Sequence, residues 1–295
     1  MVTLSLGVPN FGAWVDGNWH VLLDVARAAE DAGVDRLVVS DHVVLGFGTD
    51  AYKWGRFPTA PDGPWLEPLS CLSAVAAVTS RLRLATGILI APLRPAAVLA
   101  KTVATLDVLS GGRLDLGVGV GWHREEYDAL GLDFSARGRL LDETMAACRA
   151  LWAHLPASYS SESTSFTDTF CSPQPAQERL PVWFSGTLNA RNLRRVVELG
   201  DGWIPIMGAT LDDIRDGVTR LEEAADRPLD VQAPIRPVRS DGGALDLDAT
   251  MAGAPELVEA GVTNIYVNVA MLAATPAEAP AALARTVAAF RAATS

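Results

Sequence analysis

Cysteine, lysine and long apolar runs are all scarce in this chain. The three cysteines, Cys71, Cys148 and Cys171, are scattered and odd in number. They offer no disulfide framework and no metal-ligand spacing, which predicts a reducing, cytoplasmic setting and no metal. No apolar run reaches the roughly 18 residues of a membrane span, so no membrane partner is expected. The N-terminal MVTLSLGVPNFG carries no basic segment ahead of its apolar residues, which argues against a signal peptide. Of 24 basic residues only Lys53 and Lys101 are lysine, and the formal net charge is −11. A balance that acidic lacks the basic patch that nucleic acid or an anionic membrane requires. What the chain does have is apolar: 49% hydrophobic residues in a length of 295, ordinary for an α/β barrel.

The apolar residues come in alternating short and helix-spaced blocks. Thr3 to Pro9 reads as a strand, Trp19 to Ala32 as a helix closed by Gly33, and Arg36 to Ser40 as a second strand. A long loop, 43–67, follows with aromatics, glycines and prolines; its length suggests an active-site loop. A helix over Pro68–Val78 leads to a strand over Leu82–Ile90. A helix over Ala96–Leu109 and a strand over Leu114–Val120 complete a parallel βαβ unit. A short helical excursion at 123–134 and a helix over Ala136–Leu155 come next. Ser158 to Ser172 reads equally as a β-hairpin or a flexible loop. Strands then alternate with helices: Leu180–Ser185, Gly202–Met207, Val231–Val238 and Val262–Val269, separated by helices at 188–199, 211–225 and 247–260, with a final helix at 276–293. Strict alternation predicts a parallel sheet, and its eight repeats allow closure into a (β/α)8 TIM barrel. Residues 1–295 read as a single barrel domain with a small insertion. An open doubly wound sheet is the alternative, but no dinucleotide fingerprint follows the first strand.

In such a barrel, chemistry gathers at the C-terminal ends of the strands. Those ends carry Asn10, Ser40-Asp41-His42, Thr86-Gly87-Ile88, Gly119 to His123, Ser185-Gly186-Thr187, Ile206-Met207-Gly208 and Asn268. His42 is a proton donor or acceptor, or else a structural strand-end histidine. Asp41 is a partner in proton transfer, an orienting group or a helix cap. Ser185-Gly186-Thr187 opens onto a helix N-terminus, an anion site by geometry and dipole, or an ordinary cap. The alternating glycines of GVGVG at 117–121 either let a planar cofactor or a phosphate approach the backbone or allow a closely packed strand.

TGILIAPLRPAAVLAKTVATLDVLSGGRLDLGVGVGWHREEYDALG, with SDH at 40–42 and SGTLNARNLRRVVELGDGWIPI at 185–206, resembles the luciferase-like flavin and deazaflavin oxidoreductases. Within that family it is most similar to the F420-dependent branch. The resemblance implies a bacterial luciferase-like barrel and a homodimer acting on a small-molecule substrate. It places His42 beside the cofactor ring with Asp41 before it, and implies a non-prolyl cis peptide at Gly87-Ile88 behind that ring. Thr86, Gly119, Gly121 and Trp122 border the same ring, and Ser185, Gly186 and Thr187 match the loop that holds the cofactor phosphate. Val120 stands where FMN-using members have a phosphate-pairing arginine, which favours coenzyme F420 over FMN. Trp122 stands where sugar-phosphate dehydrogenases of the family have a catalytic glutamate, so a different acid, Glu125 or Glu126, or none would serve. The expected function is hydride transfer between the deazaflavin C5 and a small organic substrate. The alternatives are an FMN-dependent monooxygenase using reduced FMN and O2, and a non-catalytic cofactor-binding barrel. A phosphate-binding lyase or isomerase on the same fold is a further alternative, but it lacks a Schiff-base lysine, since Lys53 lies in a loop and Lys101 within a helix.

Overall fold

A computed structural model of the chain describes every residue except Met1, Asp16, Arg56 and Ser295; Arg56, inside the predicted 43–67 loop, therefore lies outside the description. The barrel strands are β1 (Thr3–Gly7), β2 (Arg36–Val39), β3 (Arg83–Thr86), β4 (Leu114–Gly119), β5 (Val182–Ser185), β6 (Gly202–Ile204), β7 (Asp230–Pro234) and β8 (Asn264–Asn268). Each pairs in parallel with the next, and β8 closes on β1 with Thr3 opposite Asn264 and Gly7 opposite Asn268. The expected (β/α)8 barrel is therefore the observed one, with helices between the strands.

Alternation along each strand sorts the residues. Leu4, Leu6, Leu37, Leu84, Leu116, Phe184 and Ile265 are fully buried in the main apolar cluster that joins strands and helices. The opposite parity is more polar: Ser5, Arg36, Asp115, Gln232 and Asn264, together with Trp183. Arg36 shows where this set points. It reaches Asp115 at 2.9 Å and lies 4.4 Å over the Trp183 ring, contacts between strands that are not neighbours in the sheet and so made across the barrel.

Several boundaries differ from expectation. The strand expected over Leu82–Ile90 is two pieces: β3 ends at Thr86, the Gly87-Ile88 peptide is cis, and Leu89–Ile90 pairs again with Val118 and Gly119 of β4. The seventh strand stops at Pro234, because proline has no N–H for the ladder. Val238–Arg239 pairs instead with Leu245–Asp246 in a separate hairpin. The helix expected over Leu247–Ala260 splits into Leu247–Met251 and Ala254–Glu259. Pro255 cannot donate to the turn before it, and Gly253 is a weak helix former, so the break falls at Ala252–Gly253, just ahead of the proline. The 158–172 segment is a hairpin, Ala157–Ser160 against Ser165–Thr169, resolving the two readings of its sequence.

Candidate active site

His42 lies just beyond β2, at the C-terminal mouth of the barrel, and is 8% exposed. Its Nδ1 stands 3.1 Å from Oε2 of Glu126, a carboxylate that is fully buried. The other oxygen of Glu126 accepts the Val43 N–H at 2.7 Å. A carboxylate in this position accepts a hydrogen bond from Nδ1, which leaves Nε2 as the ring nitrogen that Glu126 does not engage. Nε2 has no protein partner among the described residues. The rings of Trp65, Phe57 and Trp122 pack edge-on around the imidazole at centroid distances of 4.6, 5.5 and 5.7 Å.

The turn that supplies Glu126 also fastens the loop after His42. Gly46 N–H donates to Nε2 of His123 at 2.8 Å, and Gly48 N–H donates to Glu125 at 3.0 Å. A Cβ at Gly46 would stand 2.6 Å from Cγ of Glu125, against the base of that side chain, and one at Gly48 would stand 2.3 Å from its carboxylate and displace it. His123, Glu125 and Glu126 together anchor the start of the long loop. The sequence identified the two glutamates only as possible replacement acids; their contacts make Glu126 the partner of His42 and Glu125 a loop anchor.

Asp41 faces away from His42. Its carboxylate takes both guanidinium nitrogens of Arg94, at 2.7 and 3.0 Å, and the Ile90 N–H at 2.9 Å. Burial by itself would lower the Arg94 pKa; the bonds and charges of Asp41 and, to a lesser extent, Glu67 outweigh it and hold the guanidinium above its ordinary value. Asp41 therefore fixes the segment just after Gly87-Ile88, and Arg94 passes the connection on to Glu67, the cap of the Pro68–Val78 helix.

The Gly-rich strand end is first of all a packing solution. A Cβ at Gly117 would fall 2.0 Å from the Thr86 carbonyl oxygen, and one at Gly119 would fall 2.9 Å from Ile88 Cδ1. Gly121 has φ +68, which favours glycine on backbone grounds. Thr86 donates to the Gly117 carbonyl at 2.7 Å and does not border the cavity. At the other corner Ser185 and Gly186 line the cavity and Thr187 does not. Gly186 N–H is bonded to the Ile204 carbonyl, and Asn189 caps the following helix through the Asn192 N–H.

These elements enclose a cavity of about 600 Å³. Its wall includes His42, Ile88, Gly119, Val120, Gly121 and Trp122, all expected from the sequence. It also includes Gln232 and Tyr266, which were not. A signal for Tyr266 existed: two residues before the strand-end Asn268, it must share that residue's face of β8. Among the described residues no lysine or arginine lines the cavity, and no cluster of His, Cys, Asp and Glu could hold a metal ion.

The sequence model of luciferase-like monooxygenases matches residues 6–242. The chain belongs to the luciferase-like monooxygenase family. An uncharacterised protein of Mycobacterium tuberculosis is 35% identical over 183 residues, which is 61% of this chain and 65% of that protein. The FMNH2-dependent dimethylsulfone monooxygenase of Pseudomonas putida is 26% identical over 204 residues, 68% of this chain and 52% of the enzyme. Each match thus spans less than two thirds of the relative's own length. Among solved structures, an F420-dependent secondary alcohol dehydrogenase superposes with a TM-score of 0.77 over 98% of this chain and 99% of its own, at 16% identity, a likeness of fold. Members of this family are oxidoreductases and monooxygenases, and both F420-dependent and FMN-dependent proteins stand among the neighbours.

Proposed function

We propose that this protein is an F420-dependent oxidoreductase that moves a hydride between the deazaflavin C5 and a small organic substrate. The observation that carries the reading is the buried Glu126–His42 pair on the wall of a cavity of about 600 Å³ at the barrel mouth. Such a cavity lies within the range that small-molecule and cofactor sites occupy. Val38, Ile88 and Ile204 give the cavity wall apolar surface for a planar ring. Ser185 Oγ, with no partner among the described residues, is open to a ligand at the corner where the resemblance puts the cofactor phosphate. The residues present therefore fit a flavin-type group.

When bound, F420 would supply the carbon that gives or accepts the hydride. The protein's part is to place the reactants, exclude water and manage a proton. Glu126 holds Nδ1–H of His42, which leaves Nε2 to take a proton from a substrate hydroxyl or, once protonated, to return one to a carbonyl oxygen. Asp41 acts at a distance, by holding the Ile90 N–H and Arg94 and so the backbone behind the cavity. Trp65, Phe57 and Trp122 keep water away from the imidazole.

F420 is favoured over FMN by Val120, which stands at the position of an FMN-phosphate arginine in the resemblance. An FMN-dependent monooxygenase is the second reading, supported by the Pseudomonas putida relative. Titrating the purified protein with each cofactor, followed by cofactor absorbance, separates them. Saturable binding of F420 with none of FMN is expected; binding of FMN alone would replace the first reading by the second.

A further inference from the structure

One side of the cavity is built by a strap that the barrel holds mainly at its two ends. Tyr52, Trp54, Phe57 and Trp65 of the 43–67 loop line the cavity, and Tyr52 and Phe57 pack on Trp122 at centroid distances of 5.4 Å. The far end is tied by backbone to the segment after β1. The Gly12 N–H donates to the Pro64 carbonyl at 3.2 Å, and the Leu66 N–H donates to the Asn10 carbonyl at 2.8 Å. Between Thr49 and Gly63 the described residues make a single hydrogen bond outside the strap, from the Tyr52 hydroxyl to Met207 Sδ at 3.5 Å.

The near end is tied to side chains that can change charge. Glu126 takes the Val43 N–H, Glu125 takes the Gly48 N–H, and Nε2 of the buried His123 takes the Gly46 N–H at 2.8 Å. A backbone N–H only donates, so Nε2 must present its lone pair and the ring is neutral, with its proton on Nδ1. Nδ1 stands 3.5 Å from Oε2 of Glu125 and has no hydrogen-bond partner among the described residues. A second proton would enter at Nε2 and face the Gly46 N–H, donor against donor, so that bond must break. Glu125 beside Nδ1 favours the cation, while burial and the Gly46 N–H oppose it. The ring also faces His42, 6.4 Å away between centroids, whose Nδ1 is engaged by Glu126. The neighbouring Arg124 lays its guanidinium 4.6 Å over the Phe134 ring.

We propose that His123 is a positioning residue that holds the aromatic side of the cavity in place while its imidazole is neutral, and releases the near end of the strap when protonated. It acts through the Gly46 N–H, does not itself border the cavity, and does so whichever cofactor binds. An imidazole ordinarily changes charge between about pH 5 and pH 8, so the strap is held at the upper end of that interval and freed towards the lower. Hydrogen–deuterium exchange of peptides covering residues 44–54 tests this, expressed as protection relative to the unfolded chain at the same pH. Protection in the parent protein should fall about tenfold from the upper to the lower end of the interval, the loss of one hydrogen bond. His123→Gln places a non-titrating amide oxygen where Nε2 stands, and should stay protected at both. His123→Ala should be unprotected at both. It should also be cut at Lys53 by endoproteinase Lys-C about tenfold faster than the parent at pH 8; the chain's other lysine, Lys101, lies within a helix. Protection that does not change with pH in the parent would overturn the proposal. A fall that persists in His123→Gln would also overturn it, by assigning the titration to another group such as His42. If His123→Ala fails to fold, the comparison of the parent with His123→Gln decides.

Discussion

At the residue scale, His42 depends on a partner 84 positions away in the sequence. Glu126→Gln keeps the shape of the side chain and an oxygen for the Val43 N–H, but removes the negative charge facing Nδ1. The variant should melt within a few degrees of the parent. Its kcat/KM should fall by at least about tenfold, within the ~10²–10⁴ that general acid–base catalysis typically contributes. His42→Ala should lose at least as much, and the double variant little more than His42→Ala, because the two residues act as a unit. Additive losses in steady-state kinetics would show that Glu126 acts independently of His42. The residues also show how far sequence reading reaches. His42 was legible because a strand end can be located from local pattern. The direction of the Asp41 carboxylate was not, because Arg94 approaches it from a different segment.

At the element scale, one carboxylate joins two consecutive βα units. Glu30, in the Val21–Ala32 helix, accepts backbone N–H bonds from Ser80, Arg81 and Leu82, where the chain enters β3. Its partial burial would raise the pKa, but these bonds outweigh it and lower the group to about 2. A carboxyl whose pKa is lower folded than unfolded stabilises the fold above its unfolded value. That stabilisation is lost as pH falls from about 4.5 towards about 2. Glu30→Gln should therefore cost stability at pH 7, about 1 kcal/mol given its exposure, and the difference from the parent should shrink as pH falls through that window. Urea unfolding of both proteins at several pH values measures it; a constant difference would mean that Glu30's charge has no part. Elements were most legible where glycine or a cap marks their ends, as at Gly33, whose φ of 88 closes its helix. They were least legible at Pro234 and Pro255, where one missing N–H ends a strand or splits a helix that the apolar pattern alone would continue.

At the scale of the whole molecule, barrel closure buries all three cysteines. Burial, with the nearby Glu67 charge, pushes the Cys71 thiol up to about 11, and burial raises Cys148 as well. Thiols that are both inaccessible and protonated react slowly. Ellman's reagent should therefore find no fast-reacting thiol in the native protein at pH 8 and all three after unfolding in guanidinium. A rapid native equivalent would place one of them in an accessible setting. The scarcity of cysteine noted in the sequence is consistent with such packing roles, since none of the three borders the cavity.

Local pattern determined the succession of strands and helices, and with it the barrel and the set of residues brought to its mouth. Hydrophobic period and end signals are properties of neighbouring residues, so a linear reading captures them. Tertiary structure decided what those residues do. Glu126 meets His42, Arg94 meets Asp41, and Tyr266 comes to rest over Gly7 only once the eight strands have closed in one register. A period of two fixes which face a side chain takes, but not which distant segment will stand opposite it.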